Sequence, residues 1–218
     1  MISRILILFK KDARLELRSK TALASLFMYA ISSVFIIYMA VGEPENDMIW
    51  NALFWITLVY CSVNSVMRVF YYETQSMRLY YYQIAHPHEI IFSKLLYGIV
   101  FNSLLWIVTF GAFALFLGNK VENFGLFTIT SLLSIWGLSS ILTLISAIAA
   151  QSNNAAGLLP ILAFPVLIPL FLSAINASTA AISGDTILSQ LPNLMVLFLF
   201  NMVSWLLSYL LFPYLWRN

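Results

Sequence analysis

Six long apolar stretches constrain the fold of this chain more than any other feature of its sequence. The first runs from Thr21 to Val41 without a charged residue. At a rise of about 1.5 Å per residue, a helix of that length crosses roughly 30 Å, the thickness of bilayer hydrocarbon. The sequence therefore predicts an all-α membrane protein with six transmembrane helices. The predicted spans cover residues 21–41, 50–67, 95–117, 124–149, 157–180 and 194–215.

The composition leaves little room outside these spans. Of the 218 residues, 61% are hydrophobic and only 9% are charged, so we expect one transmembrane domain over residues 1–218. Any soluble activity would have to come from another chain, and no nucleic-acid partner is expected. The single cysteine, Cys61, lies within the second span, which rules out an internal disulfide.

The basic residues are distributed unevenly over the predicted topology. With six spans, the N-terminal segment, the 68–94 loop and the C-terminal tail lie on one side of the membrane, and every Lys and Arg except Lys120 is there. Short cytoplasmic loops carry the Lys and Arg excess in membrane proteins. The sequence therefore predicts that both termini are cytoplasmic.

The segment before the first span has the pattern of an amphipathic helix. Ile5, Leu6 and Phe9 recur at helical spacing, and basic residues repeat on another face. We predict a helix that lies in the membrane interface, where it either anchors the chain or transmits a push parallel to the membrane. Its basic residues are Arg4, Lys11, Arg14 and Arg18.

The 68–94 loop is the one long connection between predicted spans. Residues 73–83 contain no Gly or Pro, so a helix is expected there before Pro87 ends it. Tyrosines, which are enriched in this loop, occur both at membrane interfaces and at protein interfaces. We favour a docking helix for a soluble partner over tyrosines that rest at the headgroup level. The candidate docking residues are Glu73, Arg78, Tyr80, Tyr81, Tyr82, His86 and Pro87.

The sequence has few residues that could carry chemistry. No Gly-x-x-x-x-Gly-Lys-Ser/Thr motif occurs, so the chain has no P-loop for ATP. His86 and His88 are the only histidines, with no nearby Cys or His to complete a metal site. No predicted span contains Asp, Glu, Lys, Arg or His, which argues against a proton-coupled transporter. We expect no catalytic residue and no metal site.

The fifth span contains Pro160, Pro165 and Pro169. Each proline removes a helix hydrogen bond and clashes with the preceding turn, so we expect this span to be kinked or broken. Breaks in lipid are tolerated where neighbouring helices satisfy the freed carbonyl groups. The prolines therefore place the fifth span inside a bundle or at a subunit contact.

Small and amide side chains in the other spans predict close helix packing. Ser139, Thr143 and Ala147 recur every four residues in the fourth span and would let another helix approach closely. Asparagine side chains can hydrogen-bond between helices in a membrane. The candidates for such bonds are Asn64, Asn102 and Asn201.

Taken together, these segments resemble the permease half of an ABC transporter of the ABC-2 type. The chain is most similar to the haem exporter protein B family, the permease subunit of the cytochrome c maturation system. Three segments carry the resemblance: FKKDARLELRSK, ETQSMRLYYYQIAHPHEIIFSKLLYG and AAQSNNAAGLLPILAFPVLIPLFLSA. The first resembles the basic opening of that family, the second its coupling loop, and the third its polar turn and proline-punctuated span.

The resemblance implies a protein that supplies motion rather than chemistry, in the bacterial inner membrane. A separate ATP-binding subunit would dock on the helix at 73–83, and its closure would tilt spans two and three and repack span five against a second copy of the permease. ATP would bind to the partner, haem is a candidate cargo, and the chain itself would bind no cofactor. A haem-handling membrane protein and a haem chaperone are the further implied partners.

Two other functions remain compatible with the same residues. An ABC-2 permease for another substrate, such as a lipid-linked glycan or a drug, would share these physical features. A membrane assembly scaffold without a transport cycle is the non-transporting alternative, and it predicts no ATPase partner.

Overall fold

The computed structural model of the chain describes residues 2–18, 20–71, 86–149 and 155–217. Within these ranges the chain forms seven α-helices and no β-strand, and six of the helices are long and apolar enough to cross a membrane. The prediction of an all-α, six-span membrane protein is therefore confirmed. The helices are α1 (Ile2–Arg18), α2 (Lys20–Val41), α3 (Asp47–Tyr71), α4 (Pro87–Phe116), α5 (Phe124–Ala149), α6 (Ala155–Ile182) and α7 (Leu191–Arg217).

The largest difference from the predicted boundaries is at the start of the third span. We predicted this span from Leu95, but α4 begins at Pro87. Proline suits the first position of a helix, because the N–H that it lacks would have no partner within the helix, and its fixed φ already fits. The residues from 87 to 94 are therefore helical, and the part of the prediction that placed them in a loop is wrong.

α5 lies at the centre of the bundle. It contacts α3, α4, α6 and α7, and most of its residues are buried. α4 comes close at Gly98, where an added Cβ atom would lie 2.5 Å from Ser139 Oγ and 3.4 Å from Thr143 Oγ1. The predicted close approach along Ser139 and Thr143 is thus confirmed, and α4 is the helix that makes it.

Two of the three asparagines join neighbouring helices as predicted. Asn102 Nδ2 donates to Ser139 Oγ at 3.3 Å, and Asn201 Nδ2 donates to the Leu133 carbonyl at 2.9 Å. Asn64 differs, because its amide donates to the Tyr60 carbonyl of its own helix. A backbone carbonyl one turn away is always within reach of an amide side chain, so sequence alone does not distinguish these cases.

α6 is helical at every residue from Ala155 to Ile182. The prolines therefore do not break the fifth span, and of the two predicted outcomes only a kink stays open. α6 packs against α5, α7 and α3, as expected for a span inside a bundle. Pro165 and Pro169 are exposed, so both face away from this packing, where a missing hydrogen bond disturbs fewer neighbours.

An aromatic cluster holds α3, α4 and α5 together near one end of the bundle. Trp50 stacks on Phe54 with ring centroids 5.7 Å apart, and both rings meet Phe113 edge to face at 5.4 Å. These three side chains are fully buried. Each edge-to-face pair stabilises the fold by roughly 0.5 to 1.5 kcal/mol beyond the effect of burial, so this cluster helps to fix the packing of these helices.

Candidate coupling site at the start of α4

The first two turns of α4 are buried although they contain charged residues. Glu89 and Lys94 are only 3% and 5% exposed. Glu89 lies in the first turn, and its Oε2 atom accepts a hydrogen bond from the backbone N–H of His86 at 3.2 Å. A carboxylate at this position satisfies a donor at the helix start and interacts favourably with the helix dipole. The Glu89 carboxylate is therefore an N-terminal cap that α4 supplies from its own first turn.

α1 covers these buried charges. Lys94 Nζ lies 3.3 Å from Asp12 Oδ2 of α1, and Lys11 Nζ lies 2.9 Å from Asp12 Oδ1. Arg4 and Glu89 form a longer and more exposed pair at 3.9 Å. Removing one partner of a buried ion pair leaves an uncompensated charge and costs about 3 to 5 kcal/mol. The Asp12–Lys94 pair therefore fixes α1 to the start of α4.

Apolar contacts reinforce the same junction. Ile90, Ile91 and Leu95 of α4 are buried with Phe212 from the end of α7, and Leu8 of α1 packs against them. His88 stacks on Tyr209 of α7, with ring centroids 4.3 Å apart. The start of α4 is thus enclosed by α1 on one side and by the end of α7 on the other.

The junction lies level with the start of the first span. Phe27 of α2 contacts Phe101 of α4 with ring centroids 6.1 Å apart, and a second contact farther along both helices shows that they run in the same direction. Lys20, the first residue of α2, and Lys94 each precede the contacting phenylalanine by seven residues. Because both helices rise equally per residue, Lys94 is at the height where α2 begins.

The structure brings together only part of the predicted site. His86 and Pro87 start α4, while Arg4 and Lys11 belong to the junction. Arg14 and Arg18 lie on α1, which is helical as predicted, and both are exposed. The remaining docking residues lie outside the part of the chain that the structure describes: Glu73, Arg78, Tyr80, Tyr81 and Tyr82.

Sequence reasoning missed Asp12, Glu89 and Lys94. We treated Lys94 as the last loop residue because a charge usually ends an apolar span, so no predicted span contained an ionisable group. The helix that carries the third span does contain buried Glu89 and Lys94. The available signal was a helix start, with Pro87 at the first position and Glu89 two residues later.

The comparison with known proteins identifies the family. A family model described as CcmB protein matches residues 3–213, which is nearly the whole chain. No curated protein sequence matches the chain. The match includes nearly all of α1, the buried start of α4, and the six long apolar helices except the last four residues of α7. The chain therefore belongs to the CcmB family of haem exporter permeases, multi-pass membrane subunits of an ABC transporter that acts in cytochrome c maturation.

Proposed function

We propose that this permease converts ATP hydrolysis on a separate ATP-binding subunit into motion of its own spans, and that the motion enters through the junction of α1 with α4. The observation that carries the proposal is the buried Asp12–Lys94 ion pair. It ties α1 to the helix that begins directly after the 72–85 segment, where we expect the ATP-binding subunit to dock. A push on that segment would move α1 and the start of α4 together.

The contacts at the junction support a transmission role. The start of α4 is helical from Pro87 onward, so a force applied at His86 acts on a rigid rod rather than on a loop. α4 also touches α5 closely at Gly98, one turn beyond Lys94. A displacement of the start of α4 would therefore reach the central helix of the bundle within about three turns.

The wider assembly is part of the same proposal. The charge asymmetry of the sequence supports cytoplasmic termini, and in the bacterial inner membrane this orientation would put α1 and the 72–85 segment on the side where ATP is available. Two copies of the permease would pair, with the ATP-binding subunit on the cytoplasmic face. A haem-handling membrane protein and a haem chaperone would complete the complex, with haem as the candidate cargo.

Copurification tests the docking step. Replacing Tyr80, Tyr81 and Tyr82 with Ser should reduce recovery of the ATP-binding subunit with the permease, because aromatic anchors dominate interface energies. Tyr214→Ser is the matched control, since Tyr214 is 73% exposed but lies at the end of α7. Undiminished recovery from the triple variant, with normal membrane insertion of both proteins, would refute docking on this segment.

Reporter fusions test the orientation. A cytoplasmic reporter fused after Asn218 should be active, and a reporter for the opposite side should be active when inserted between Glu43 and Asp47. Six spans and the distribution of Lys and Arg both support opposite sides of the membrane for these two positions. Activity of both positions on one side would contradict the proposed topology.

A further inference from the structure

α1 has a second face in addition to the one that packs on α4. Its residues line a groove of about 680 Å³. Their spacing of three and four residues places them on one side of the helix, whereas Leu8 and Asp12 point to α4 from another side. The described lining of the groove consists of Ile7, Lys10, Lys11, Arg14, Leu15 and Arg18.

The groove concentrates positive charge. Lys10, Arg14 and Arg18 are exposed and have no ion pair within the described ranges, and Lys11 adds a fourth cation. Lys10, Arg14 and Arg18 succeed one another at intervals of four residues, a spacing at which like charges destabilise a helix. Arg18 in the last turn is favoured by the helix dipole, but Lys10 and Arg14 are not. An anion bound in the groove would offset this repulsion.

Two apolar side chains lie beside these cations in the groove. Ile7 is 65% exposed and Leu15 is 50% exposed, and both line the groove. Only one residue separates the end of α1 at Arg18 from the start of α2 at Lys20. The groove therefore lies at the edge of the first span, where phospholipid headgroups meet acyl chains.

We propose that this groove binds the headgroup of an anionic phospholipid. The phosphate would lie among Lys10, Arg14 and Arg18, and the upper part of the acyl chains would cover Ile7 and Leu15. An acidic protein surface could neutralise the cations, but it would have to enter the headgroup layer to cover the apolar pair. A phospholipid in the adjacent bilayer can both neutralise the cations and cover the apolar pair. The proposed lipid site does not depend on ATP coupling.

Photo-crosslinking in the unmodified protein locates the lipid. The full-length protein is placed in phosphatidylcholine nanodiscs that contain a small fraction of phosphatidylglycerol or phosphatidylcholine with a diazirine near the headgroup. We expect the phosphatidylglycerol probe to label residues 7–18 several-fold more than the phosphatidylcholine probe. Equal labelling by the two probes, or preferential labelling elsewhere on the chain, would overturn the proposal.

Charge variants test the role of the cations. In native mass spectrometry, Lys10→Gln/Arg14→Gln/Arg18→Gln should retain phosphatidylglycerol on the order of a hundredfold less than the wild type, because each of the three cations contributes about fivefold near an anionic surface. The charge-keeping variant Lys10→Arg/Arg14→Lys/Arg18→Lys and the distant control Lys120→Gln should retain it normally. Normal retention by the neutral variant would overturn the proposal. Loss of the crosslink when the ATP-binding subunit is added would instead identify a protein as the occupant, and would equally overturn it.

Discussion

The two ends of this helix bundle are held together by different kinds of contact. We call the end that contains the connections 42–46, 117–123 and 183–190 the hairpin end, and the end that contains α1, the start of α4 and the end of α7 the α1 end. Both ends are well packed, but they differ in how precisely the contacts fix one helix relative to the next.

Directed hydrogen bonds join the helices at the hairpin end. Trp50 Nε1 donates at 3.1 Å to the carbonyl of Gly118, which lies two residues beyond the end of α4 and has a φ of +75°. Asn51 Nδ2 donates to Ser178 Oγ at 2.9 Å, and Asn123 Nδ2 donates to the Asp185 carbonyl at 2.7 Å. These bonds join α3 to the 117–123 connection, α3 to α6, and the 117–123 connection to the 183–190 connection.

The α1 end depends on ion pairs and apolar contacts. Asp12 and Lys94 join α1 to α4. Between α3, α5 and α6 the buried cluster around Val66, Ile141 and Leu167 is apolar. Apolar contacts have no directional requirement, so helices can slide past one another by small amounts at little cost. We infer that the helices keep their relative positions at the hairpin end during the ATP-driven cycle, and that they move at the α1 end.

The largest effect should follow from breaking the Asp12–Lys94 pair. We expect Lys94→Gln to destabilise the junction by about 3 kcal/mol, the lower end of the cost of breaking a buried pair, because Asp12 would keep only the more exposed Lys11 as a partner. Yield of c-type cytochromes should fall severely while the protein remains in the membrane.

A double variant separates the pair from its individual charges. Asp12→Asn/Lys94→Gln should unfold at a higher temperature than either single variant, since both charges of the buried pair are gone and Lys11, the other partner of Asp12, is partly exposed. Cytochrome yield should nevertheless stay low, because the connection between α1 and α4 is lost. Full yield from the double variant would show that the pair has no role in transmission.

A smaller effect is expected at the hairpin end. Asn51→Leu removes the bonds to Ser178 and Thr179 and should lower the free energy of unfolding by about 1 to 3 kcal/mol. Cytochrome yield should be preserved at a permissive temperature, because this end does not move. Asn64→Leu is the matched control, since Asn64 bonds only within its own helix among the described contacts, and it should change the unfolding temperature less. Severe loss of yield from a stable Asn51→Leu protein would contradict the comparison.

Pro165→Ala tests whether α6 must be irregular to move at the α1 end. Restoring one backbone hydrogen bond should stabilise the helix by about 1 kcal/mol. If two packings of α6 lie within a few kcal/mol of each other, a straighter helix favours one of them and cytochrome yield falls. We expect that fall, with unchanged recovery of the ATP-binding subunit. Wild-type cytochrome yields in Pro160→Ala, Pro165→Ala, Pro169→Ala and the triple variant would show that the prolines have a role in packing only and not in motion.

Arg4→Gln should have the smallest effect. The Arg4 side chain is 59% exposed and its pair with Glu89 is 3.9 Å long, so solvent screens the interaction to below about 1 kcal/mol. Comparing Arg4→Gln with Lys94→Gln in one assay of cytochrome yield isolates the contribution of burial. Equal losses from the two variants would show that burial does not decide which ion pair matters.

Apolar length was enough to predict the six spans, and α-helical periodicity was enough to predict α1. Both are local properties of the sequence. The junction could not be predicted in the same way, since Asp12 and Lys94 are far apart in sequence and each looks like an ordinary charge at a membrane boundary. Their pairing depends on how α1 folds back against α4, which only tertiary contacts determine.

The contacts at the hairpin end could not be predicted from local sequence either. Trp50 and Asn51 stand at the predicted edge of the second span, where either could have faced water or headgroups. Their partners are Gly118 in the connection after α4 and Ser178 in α6, and the order of helices in the bundle determines which partners are near. In α6 the local rule overestimated the effect of the prolines on the helix, because the helix continues through them, and Pro165 and Pro169 face away from its packing.

Distance measurements between spin labels test the central claim most directly. In a Cys61→Ser background, one label pair joins Lys10 on α1 to Ile161 on α6, and the other joins Met48 on α3 to Leu188 after α6. Met48, Ile161 and Leu188 are each more than 60% exposed, so labels should be tolerated. On trapping the complete transporter with ATP and vanadate, we predict a shift in the Lys10–Ile161 distance and no change in the Met48–Leu188 distance. A shift of equal size at both ends, or at the hairpin end alone, would contradict the account.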